Sequence, residues 1–330
     1  MNQDFDIITI GDSTVDTFLI INEASLEEDL EHDEVKLCFQ YGDKVPIEDT
    51  HQAVGGNAAN VAIGLKKQGY STAIITEIGG DINGHVIKKK LEKIGVNTDF
   101  SKVLEEKDSR YSMILHYKTD RTILSNYVDR EYSLGNIPSC ELIYYTSLGP
   151  NFEILQEELN QYLKQNPDTK LACNPGTYQM KKGMKTIKEI LPKVKYLFVN
   201  REEAERITGL NSTDSIKEII EALKQIGVET SVITAGSEGA YINHQDQILK
   251  MEPYPEQPKG KTGAGDAMAS GFLGAILAGK STKTALKWGT ANATGAVQHI
   301  GAHEGVLNKE EIQDMIEDYP DIKPEVVAGA

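Results

Sequence analysis

Two patterns of hydrophobic and polar positions alternate along most of the chain. Short runs rich in β-branched residues predict buried strands, and longer segments with apolar residues every three or four positions predict amphipathic helices. The predicted strands are Asp6–Ile10, Ser71–Ile78, Leu142–Ser147, Lys170–Cys173, Tyr196–Val199 and Ser231–Thr234. The predicted helices are Asn57–Gln68, Gly84–Ile94, Phe152–Lys164, Gly183–Leu191, Glu202–Ile207, Asp214–Ile226, Asp266–Ala278, Lys283–His299 and Lys309–Asp318. The alternation predicts a three-layer α/β/α domain with a mainly parallel central sheet.

Two segments, residues 16–50 and 99–134, interrupt this alternation. Both show strand and turn patterns without helices, and the second predicts a hairpin that turns near Thr119 and Asp120. We expect the two segments to pair into one small β-sheet. A sheet that projects from an α/β core suits a lid that excludes water from a reaction. No linker rich in Pro, Gly or Ser separates the segments from the core, so residues 1–330 are interpreted as one domain with a lid.

Composition and charge exclude several functions. The net charge of −16 argues against nucleic acid as a partner, because phosphate binding requires a basic surface. No run approaches the roughly 18 apolar residues of a membrane span. The amino terminus carries acids where a signal peptide carries bases, which predicts a cytoplasmic protein. Cys38, Cys140 and Cys173 lie far apart, so neither a disulfide framework nor a zinc site is indicated.

Two stretches resemble the ATP-binding P-loop, G-x-x-x-x-G-K-[ST]. Gly260-Lys261-Thr262 lacks the first glycine, because that position holds Pro255. Residues 274–281 satisfy the pattern but continue an apolar helical run. Gly279 is typical of a helix end, and Ser281 or Thr282 is typical of the N-cap of the next helix. The sequence therefore disfavours a P-loop at both places.

Polar residues and glycines follow several predicted strands. Asp12 and Asp16 follow the first strand, and Asn174, Asn200 and Gly236 follow three later ones. Ligand sites in open α/β sheets lie beyond the carboxyl ends of the strands. Each residue alone also fits a turn or a helix cap, but their recurrence favours a ligand site at this edge.

The stretch Thr262-Gly263-Ala264-Gly265-Asp266 places small residues before a predicted helix. Without bulky side chains, the N–H groups of a helix amino terminus can approach an anion closely. Asp266 could take a proton from an incoming hydroxyl while these amides stabilise charge on a phosphoryl group. The pattern is typical of a phosphotransferase, with a simple helix cap as the alternative role of Asp266.

Four motifs in order extend this interpretation. They are "VGGNAANVAIGLKKQG" (54–69), "VNREEAERITG" (199–209), "VITAGSEGAYI" (232–242) and "KTGAGDAMASGF" (261–272). With them, the chain resembles the PfkB (ribokinase-like) family of carbohydrate and nucleoside kinases from about Asp6 to about Asn308. The resemblance implies a ribokinase-like fold and transfer of the γ-phosphate of ATP to an alcohol group of a sugar.

The resemblance also implies the roles of individual residues at the acceptor. Asp266 would be the general base, and the backbone of Gly263, Ala264 and Gly265 would form the anion hole for the transferring phosphate. The residues that would bind the acceptor's hydroxyl groups are Asp16, Gly56, Asn57 and Asn60.

On the nucleotide side, the resemblance implies that Asn200, Thr234 and Gly236 bind ATP and that Asn292 lies by the adenine. Glu203 would organise Mg²⁺ through water. Magnesium suits the chemistry independently, because it bridges phosphate oxygens while keeping several waters.

One position departs from the family pattern. Family members usually carry Asp-Thr before Thr-Gly-Ala-Gly-Asp, and many bind a monovalent cation there, whereas this chain has Gly260-Lys261. A missing carboxylate and an added ammonium both disfavour a bound cation. The hypothesis is that Lys261 replaces potassium or contacts a phosphate, and the alternative is that it points into solvent.

Several functions remain open from the sequence. A nucleoside kinase would need a larger acceptor pocket, in which Tyr111, Met113 and Leu115 could pack on a base, although these residues fit the core of the lid better. A phosphosugar kinase is a further alternative, because Arg110, Arg121 and Lys261 could meet a second phosphate. The remaining alternative is a non-catalytic sugar-binding sensor. The aliphatic alternation in residues 111–128 fits either a lid floor or a homodimer interface through the lid.

Overall fold

The computed structural model of the chain describes residues 4–29, 34–118, 120–260, 262–299, 301 and 303–327. Within these ranges the strands are β1 (Phe5–Ile10), β2 (Thr14–Ile20), β3 (Ser25–Asp29), β4 (Glu34–Cys38), β5 (Asp49–Gly55), β6 (Thr72–Ile75), β7 (Glu77–Gly79), β8 (Lys102–Leu104), β9 (Arg110–Tyr117), β10 (Asp120–Ser125), β11 (Cys140–Tyr145), β12 (Lys170–Cys173), β13 (Tyr196–Asn200), β14 (Thr230–Thr234), β15 (Ala240–His244), β16 (Gln247–Met251) and β17 (Glu325–Val326). The α-helices are α1 (Asn57–Lys67), α2 (Ile82–Ile94), α3 (Phe152–Gln165), α4 (Thr177–Lys182), α5 (Met184–Ile190), α6 (Arg201–Thr208), α7 (Ile216–Ile226), α8 (Ala264–Leu277), α9 (Thr282–Val297) and α10 (Lys309–Asp318).

The central sheet has the strand order β17-β16-β15-β14-β13-β12-β11-β1-β6. The strands from β6 to β14 in this order run parallel, and β15, β16 and β17 add an antiparallel edge. Parallel strands are covered on both faces, which is why β1 buries consecutive residues such as Ile7 and Ile8 completely. The mainly parallel central sheet is confirmed.

Helices cover both faces of this sheet. Side chains alternate along a strand, so Ile8 and Ile10 of β1 pack into one core with α3, α5, α6 and α7. Ile7 packs into the opposite core with α1, α8, α9 and α10. The predicted three-layer α/β/α architecture is therefore correct.

The rejected P-loop at residues 274–281 has a helical explanation. Gly274 lies inside α8, and Gly279 follows the end of that helix with a φ of +71°. The Ser281 hydroxyl accepts a hydrogen bond of 3.2 Å from the Thr284 amide and thereby caps α9. This stretch is the connection between two helices.

A second, smaller sheet has the order β10-β9-β2-β5. Strands β9 and β10 lie within the second segment that interrupts the α/β alternation, and most of β2 lies within the first, whereas β5 begins at the end of that first segment and extends to Gly55. The parallel pair of β2 and β9 joins the two parts of the chain. The β9–β10 hairpin pairs Tyr117 with Asp120, in agreement with the predicted turn, although Thr119 lies outside the described residues. In the sequence, β3 and β4 lie between β2 and β5, and they form a separate two-stranded antiparallel sheet.

The prediction of one strand over Ser71–Ile78 is wrong. The chain forms β6 in the central sheet and then β7, which pairs with β8 in a separate small sheet. Glu77 is buried at this change of sheet and accepts hydrogen bonds from the Ser133 amide and the Lys102 ammonium. A continuous apolar run cannot reveal that a strand leaves one sheet for another.

The cysteines behave as small apolar residues, because all three are free and Cys140 and Cys173 are buried. In the part of the chain that the structure describes, no helix combines the length and hydrophobicity that crossing a bilayer requires.

Candidate active site

A cavity of about 280 Å³ lies between the small sheet and the carboxyl edge of the central sheet. One side of the cavity, here called the sheet side, is formed by the small sheet, and its principal polar residues are Thr14, Asp16, Arg110, Ser112, Arg121 and Ser125. The opposite side, here called the core side, is formed by the α/β core, and its principal residues are Asp12, Gly56, Asn57, Asn60, Gly263 and Asp266. The structure therefore brings the predicted base, part of the predicted anion hole and the predicted acceptor residues to one place.

Strand pairing explains the sheet side of the cavity. Asp16 of β2 pairs with Ser112 of β9, which pairs with Ser125 of β10. Alternate residues of a strand share a face, so Ile114 and Ile123, two positions further along, also border the cavity. Tyr111, Met113 and Leu115 occupy the odd-numbered positions of β9, which face the other way. These three residues therefore do not border the cavity, where they could have packed on a base.

Asp266 lies in the first turn of α8 on the core side of the cavity. It is 9% exposed, and its Oδ2 accepts a hydrogen bond of 2.8 Å from Nδ2 of Asn60. Helices α1 and α8 approach closely because Gly64 leaves room for Ser270, whose Oγ would lie 2.5 Å from a Cβ at position 64. This close packing brings Asn60 and Asp266 into contact.

The environment of Asp266 makes its carboxylate unusually basic. Burial raises its pKa from the ordinary 3.8 to about 6, against the opposing effect of the Asn60 hydrogen bond. The negative charges of Asp16 and Glu203 raise the pKa further. Asp266 is therefore ionised near neutral pH and basic enough to accept a proton efficiently.

The amino terminus of α8 offers an open binding surface for an anion. The first N–H groups of a helix have no intrahelical acceptor, which applies to Ala264, Gly265 and Asp266. Gly263 precedes them with a left-handed φ of +82°. A Cβ built on exposed Gly265 would meet no heavy atom within 4 Å, so a phosphoryl group can approach this backbone.

The predicted acceptor residues have defined partners. Asp16 is buried and accepts a hydrogen bond of 2.8 Å from the Thr14 hydroxyl. Burial raises the pKa of Asp16, while hydrogen bonds from Thr14 and Ser112 and the charge of Arg110 act in the opposite direction. The carboxylate of Asp16 is thus held on the sheet side, opposite Asp266.

Gly56 and Asn57 form the start of α1 at the core side. Gly56 has a φ of +91°, and a Cβ there would lie 2.4 Å from the carbonyl oxygen of Asp12, so only glycine fits. Asn57 Nδ2 donates to Oδ1 of Asn174 at 2.8 Å, and Asn174 Nδ2 donates to the Phe198 carbonyl at 2.7 Å. Asn174, noted in the sequence only as a strand-end residue, thereby orients Asn57.

A buried ion pair at the cavity was not evident from the sequence. Arg110 Nη1 lies 2.5 Å from Oδ2 of Asp12, and the Tyr132 hydroxyl lies 2.8 and 3.0 Å from the two Asp12 oxygens. The Arg110 guanidinium also stacks 4.5 Å from the centre of the Tyr127 ring. The sequence pointed to Asp12 and Arg110 separately. The available signal was that side chains at the even-numbered positions of residues 110–116 share one face of the strand, which is the face that Arg110 shares with Ser112.

The predicted nucleotide residues gather at a neighbouring part of the strand edge. Asn200 of β13 pairs with Thr234 of β14, and Gly236 follows β14. Asn200 caps α6, and Glu203 Oε2 accepts a hydrogen bond of 2.9 Å from the Asn200 amide. These residues do not border the cavity with Asp266, but Glu203 is near enough to influence the Asp266 carboxylate.

Asn292, which the resemblance predicts to lie by the adenine, has its side chain engaged within the protein. Its side chain is completely buried, with Nδ2 donating to the Ala267 carbonyl at 2.7 Å and to the Ser270 hydroxyl at 3.0 Å. Its Oδ1 accepts a hydrogen bond of 2.7 Å from the Leu307 amide. Since every polar group of this side chain is used within the protein, Asn292 joins α9 to α8 and to the following loop.

Of Gly260 and Lys261, the two residues at the position where the family pattern suggests a monovalent cation, the structure describes only Gly260. Lys261 lies outside the described residues, whereas the amide of Gly260 donates to the Val297 carbonyl at 3.1 Å. Among the described side chains, no group of three or more His, Cys, Asp and Glu residues could hold a metal ion.

Known proteins resemble this chain in sequence or in fold. The ATP-dependent 6-phosphofructokinase of Thermoanaerobacterium thermosaccharolyticum is 23% identical over 322 residues, which cover 91% of this chain and 90% of that protein. The nucleoside kinase of Methanocaldococcus jannaschii, an archaeal member of the ribokinase family, superimposes with a TM-score of 0.79 at 20% identity, covering 96% of this chain and 100% of that one. The ribokinase of Arabidopsis thaliana, solved with ribose and ATP, gives a TM-score of 0.77 at 19% identity, with coverages of 96% and 99%.

These superpositions show a ribokinase-like fold. The sequence profile described as "pfkB family carbohydrate kinase" matches residues 20–309, which is most of the chain. The match includes Asp266 and the start of α8, and enzymes of this kind transfer a phosphoryl group to a hydroxyl group. The chain therefore belongs to the pfkB family of carbohydrate kinases.

Proposed function

We propose that this protein uses ATP and Mg²⁺ to phosphorylate an alcohol group of a sugar, with Asp266 as the general base. The single observation that carries the proposal is the buried Asp266 carboxylate, whose pKa is raised to about 6, at the cavity and in the first turn of α8. A base and an anion-binding backbone at one point are the two requirements of phosphoryl transfer to a hydroxyl.

The proposed step uses groups of this chain. Asp266 takes the proton of the acceptor hydroxyl as its oxygen forms a bond to the γ-phosphorus, and the bond from that phosphorus to the bridging oxygen breaks to release ADP. The N–H groups of Ala264 and Gly265 stabilise the charge of the transferring group. Asp16, Asn57 and Asn60 hold the acceptor's other hydroxyls, which orients the reacting one.

The neighbouring strand edge fits the nucleotide and its metal. Asn200, Thr234 and Gly236 line the ends of adjacent strands, where ligands of α/β sheets bind. Glu203 Oε1 accepts no hydrogen bond from the described residues, so it is suited to accept one from a magnesium-bound water. Bound Mg²⁺ would neutralise phosphate charge there.

The four-stranded sheet acts, in this proposal, as the lid over the acceptor. It supplies one wall of the cavity, and closing it would keep water from accepting the phosphate. Its other face exposes the cross-strand neighbours Met113 and Leu124, which suits a homodimer through the lid. Light scattering after size-exclusion chromatography tests the dimer. A cytoplasmic location, where ATP is available, fits the reaction.

A nucleoside kinase is the second candidate. Ile114 and Ile123 lie side by side on the sheet wall of the cavity, and this apolar surface would suit a nucleobase. The larger number of carboxylate, amide and hydroxyl groups around the cavity favours a sugar.

An acceptor screen tests the proposal. Purified protein with ATP and Mg²⁺ would be incubated with single sugars and nucleosides while ADP formation is followed, with Asp266→Asn as the matched variant. One strong acceptor, silent in the variant, is the expected result. ADP release that no acceptor stimulates and that the variant retains would contradict the kinase function. Acceptor binding without turnover by wild type would instead favour a sugar-binding sensor.

A further inference from the structure

The acceptor cavity contains an arginine whose charge is cancelled by a buried aspartate. We propose that Asp12, through this pairing with Arg110, makes the site select an uncharged acceptor over a phosphorylated one. The inference deepens the proposed kinase function and rests on it, because it concerns the molecule that occupies the acceptor cavity.

Arg110 alone would favour an anion at this position. Its side chain projects from β9 into the cavity wall and is almost entirely buried, with 6% of the residue exposed. A guanidinium removed from water binds phosphate strongly because it forms charged, forked hydrogen bonds. The preference of the cavity therefore depends on what lies against this guanidinium.

Asp12 lies against it and is fixed in place. Its Oδ2 is 2.5 Å from Arg110 Nη1, and the residue is only 2% exposed. The Tyr132 hydroxyl donates a hydrogen bond to the same carboxylate and accepts one of 3.0 Å from the Gly149 amide. These two hydrogen bonds hold the Tyr132 ring in position. The aspartate and the arginine therefore act as a pair without net charge, which can hydrogen-bond a neutral hydroxyl but does not attract a phosphate as a lone arginine would.

The other charges around the cavity add no excess of positive charge. Arg121, the second arginine at the wall, has its guanidinium 3.8 Å from the carboxylate of Asp120. Asp16 and Asp266 place two more carboxylates on the lining. Among the described lining residues, three aspartates accompany two arginines, so a phosphate dianion would meet like charge on both sides of the cavity.

Matched pairs of acceptors measure this selectivity in the wild-type protein. The pairs are ribose with ribose 5-phosphate, fructose with fructose 6-phosphate, and adenosine with adenosine monophosphate, each with ATP and Mg²⁺. For the pair that is turned over, we expect kcat/KM at least about tenfold higher for the uncharged member. A preference for the phosphorylated member would overturn the proposal.

The variant Asp12→Asn tests the role of the aspartate itself. It keeps the size and the oxygen that accepts the Tyr132 hydroxyl but leaves the Arg110 charge uncompensated. The ratio of kcat/KM for the phosphorylated over the uncharged member should rise about tenfold or more. An unchanged ratio in a folded variant would show that Asp12 does not set the selectivity.

The double variant Asp12→Asn/Arg110→Gln is the matched control. It removes both charges, so its ratio should return towards that of wild type, and it avoids leaving a lone buried charge if the single variant unfolds. A double variant that favours the phosphorylated member would contradict the proposal, because no arginine charge would remain at position 110 to explain it.

Calorimetric titration of the same pairs into wild-type protein separates this inference from the kinase function. It yields a ratio of Kd values without any turnover. Tighter binding of the uncharged member supports the selectivity even if no phosphate is transferred. Tighter binding of the phosphorylated member, or no binding of any uncharged member, overturns it.

Discussion

Replacing Asp266 with asparagine should greatly reduce turnover and at the same time stabilise the folded protein. Burial raises the pKa of this carboxyl from 3.8 to about 6, so the ionised form that catalysis requires is unfavourable for folding. Asparagine has the same shape without the charge and can still accept the Asn60 hydrogen bond, which is 2.8 Å long in the wild type.

The size of the effect follows from the shift of about two pKa units, each worth about 1.4 kcal/mol. Below pH 3.8 Asp266 is protonated in both the folded and the unfolded state, and the penalty is absent. As the pH rises towards 6 the folded state retains the proton longer, so the free energy of unfolding falls, and above pH 6 the full penalty applies. We therefore expect Asp266→Asn to be more stable than wild type by about 3 kcal/mol at pH 7 and by about half of that at pH 5.

Urea denaturation of both proteins at several pH values, together with kcat measurements, provides the assay. The control is Asp314→Asn on the exposed surface of α10, which should change stability by less than about 0.5 kcal/mol at any of these pH values. Turnover of Asp266→Asn should fall by roughly 10² or more. A variant that is less stable than wild type at pH 7, or a stability difference that does not change with pH, would refute the reasoning.

Three further predictions follow from neighbouring residues. Asn60→Leu removes the hydrogen bond that lowers the pKa of Asp266, so the acidic limb of the pH profile of kcat/KM should move above its wild-type position near pH 6, and an unmoved limb would count against the contact. Gly265→Ala adds a methyl group that meets no protein atom within 4 Å, so the melting temperature should hold or rise while kcat/KM for ATP falls about tenfold or more; full activity would exclude a phosphate at that point. Because the sequence has Gly260-Lys261 directly before Thr262-Gly263-Ala264-Gly265-Asp266, with an ammonium group and no carboxylate, replacing sodium by potassium should leave the rate unchanged, and a several-fold stimulation would contradict this expectation.

The sequence predicted best those features that depend on local pattern or on a motif. The amino terminus of α8 is such a feature, because small residues followed by an apolar helical run describe it completely. Asn60 and Asp266, which are 206 positions apart, could be assigned to one site only through the resemblance to the family. Their contact depends on the close packing of α1 on α8, which no local pattern reveals.

The features that the sequence did not reveal depend on tertiary partners. Asp12 and Arg110 meet only because β2 and β9 pair in the register that sets Thr14 opposite Arg110. Asn292 resembles any polar residue on a helix, and its structural role follows from buried backbone groups of other segments that need hydrogen-bond partners. Glu77 similarly finds its partners only where the chain changes sheets.

The most direct test of the central claim follows the γ-phosphate itself. Phosphorus NMR of wild-type protein with ATP, Mg²⁺ and its best acceptor would distinguish a sugar phosphate ester from inorganic phosphate, with Asp266→Asn measured in parallel. We expect one new ester signal that grows with ADP in the wild type and is lost from the variant. Inorganic phosphate as the main product, or an ester formed equally fast by the variant, would contradict the assignment of Asp266 as the base of a sugar kinase.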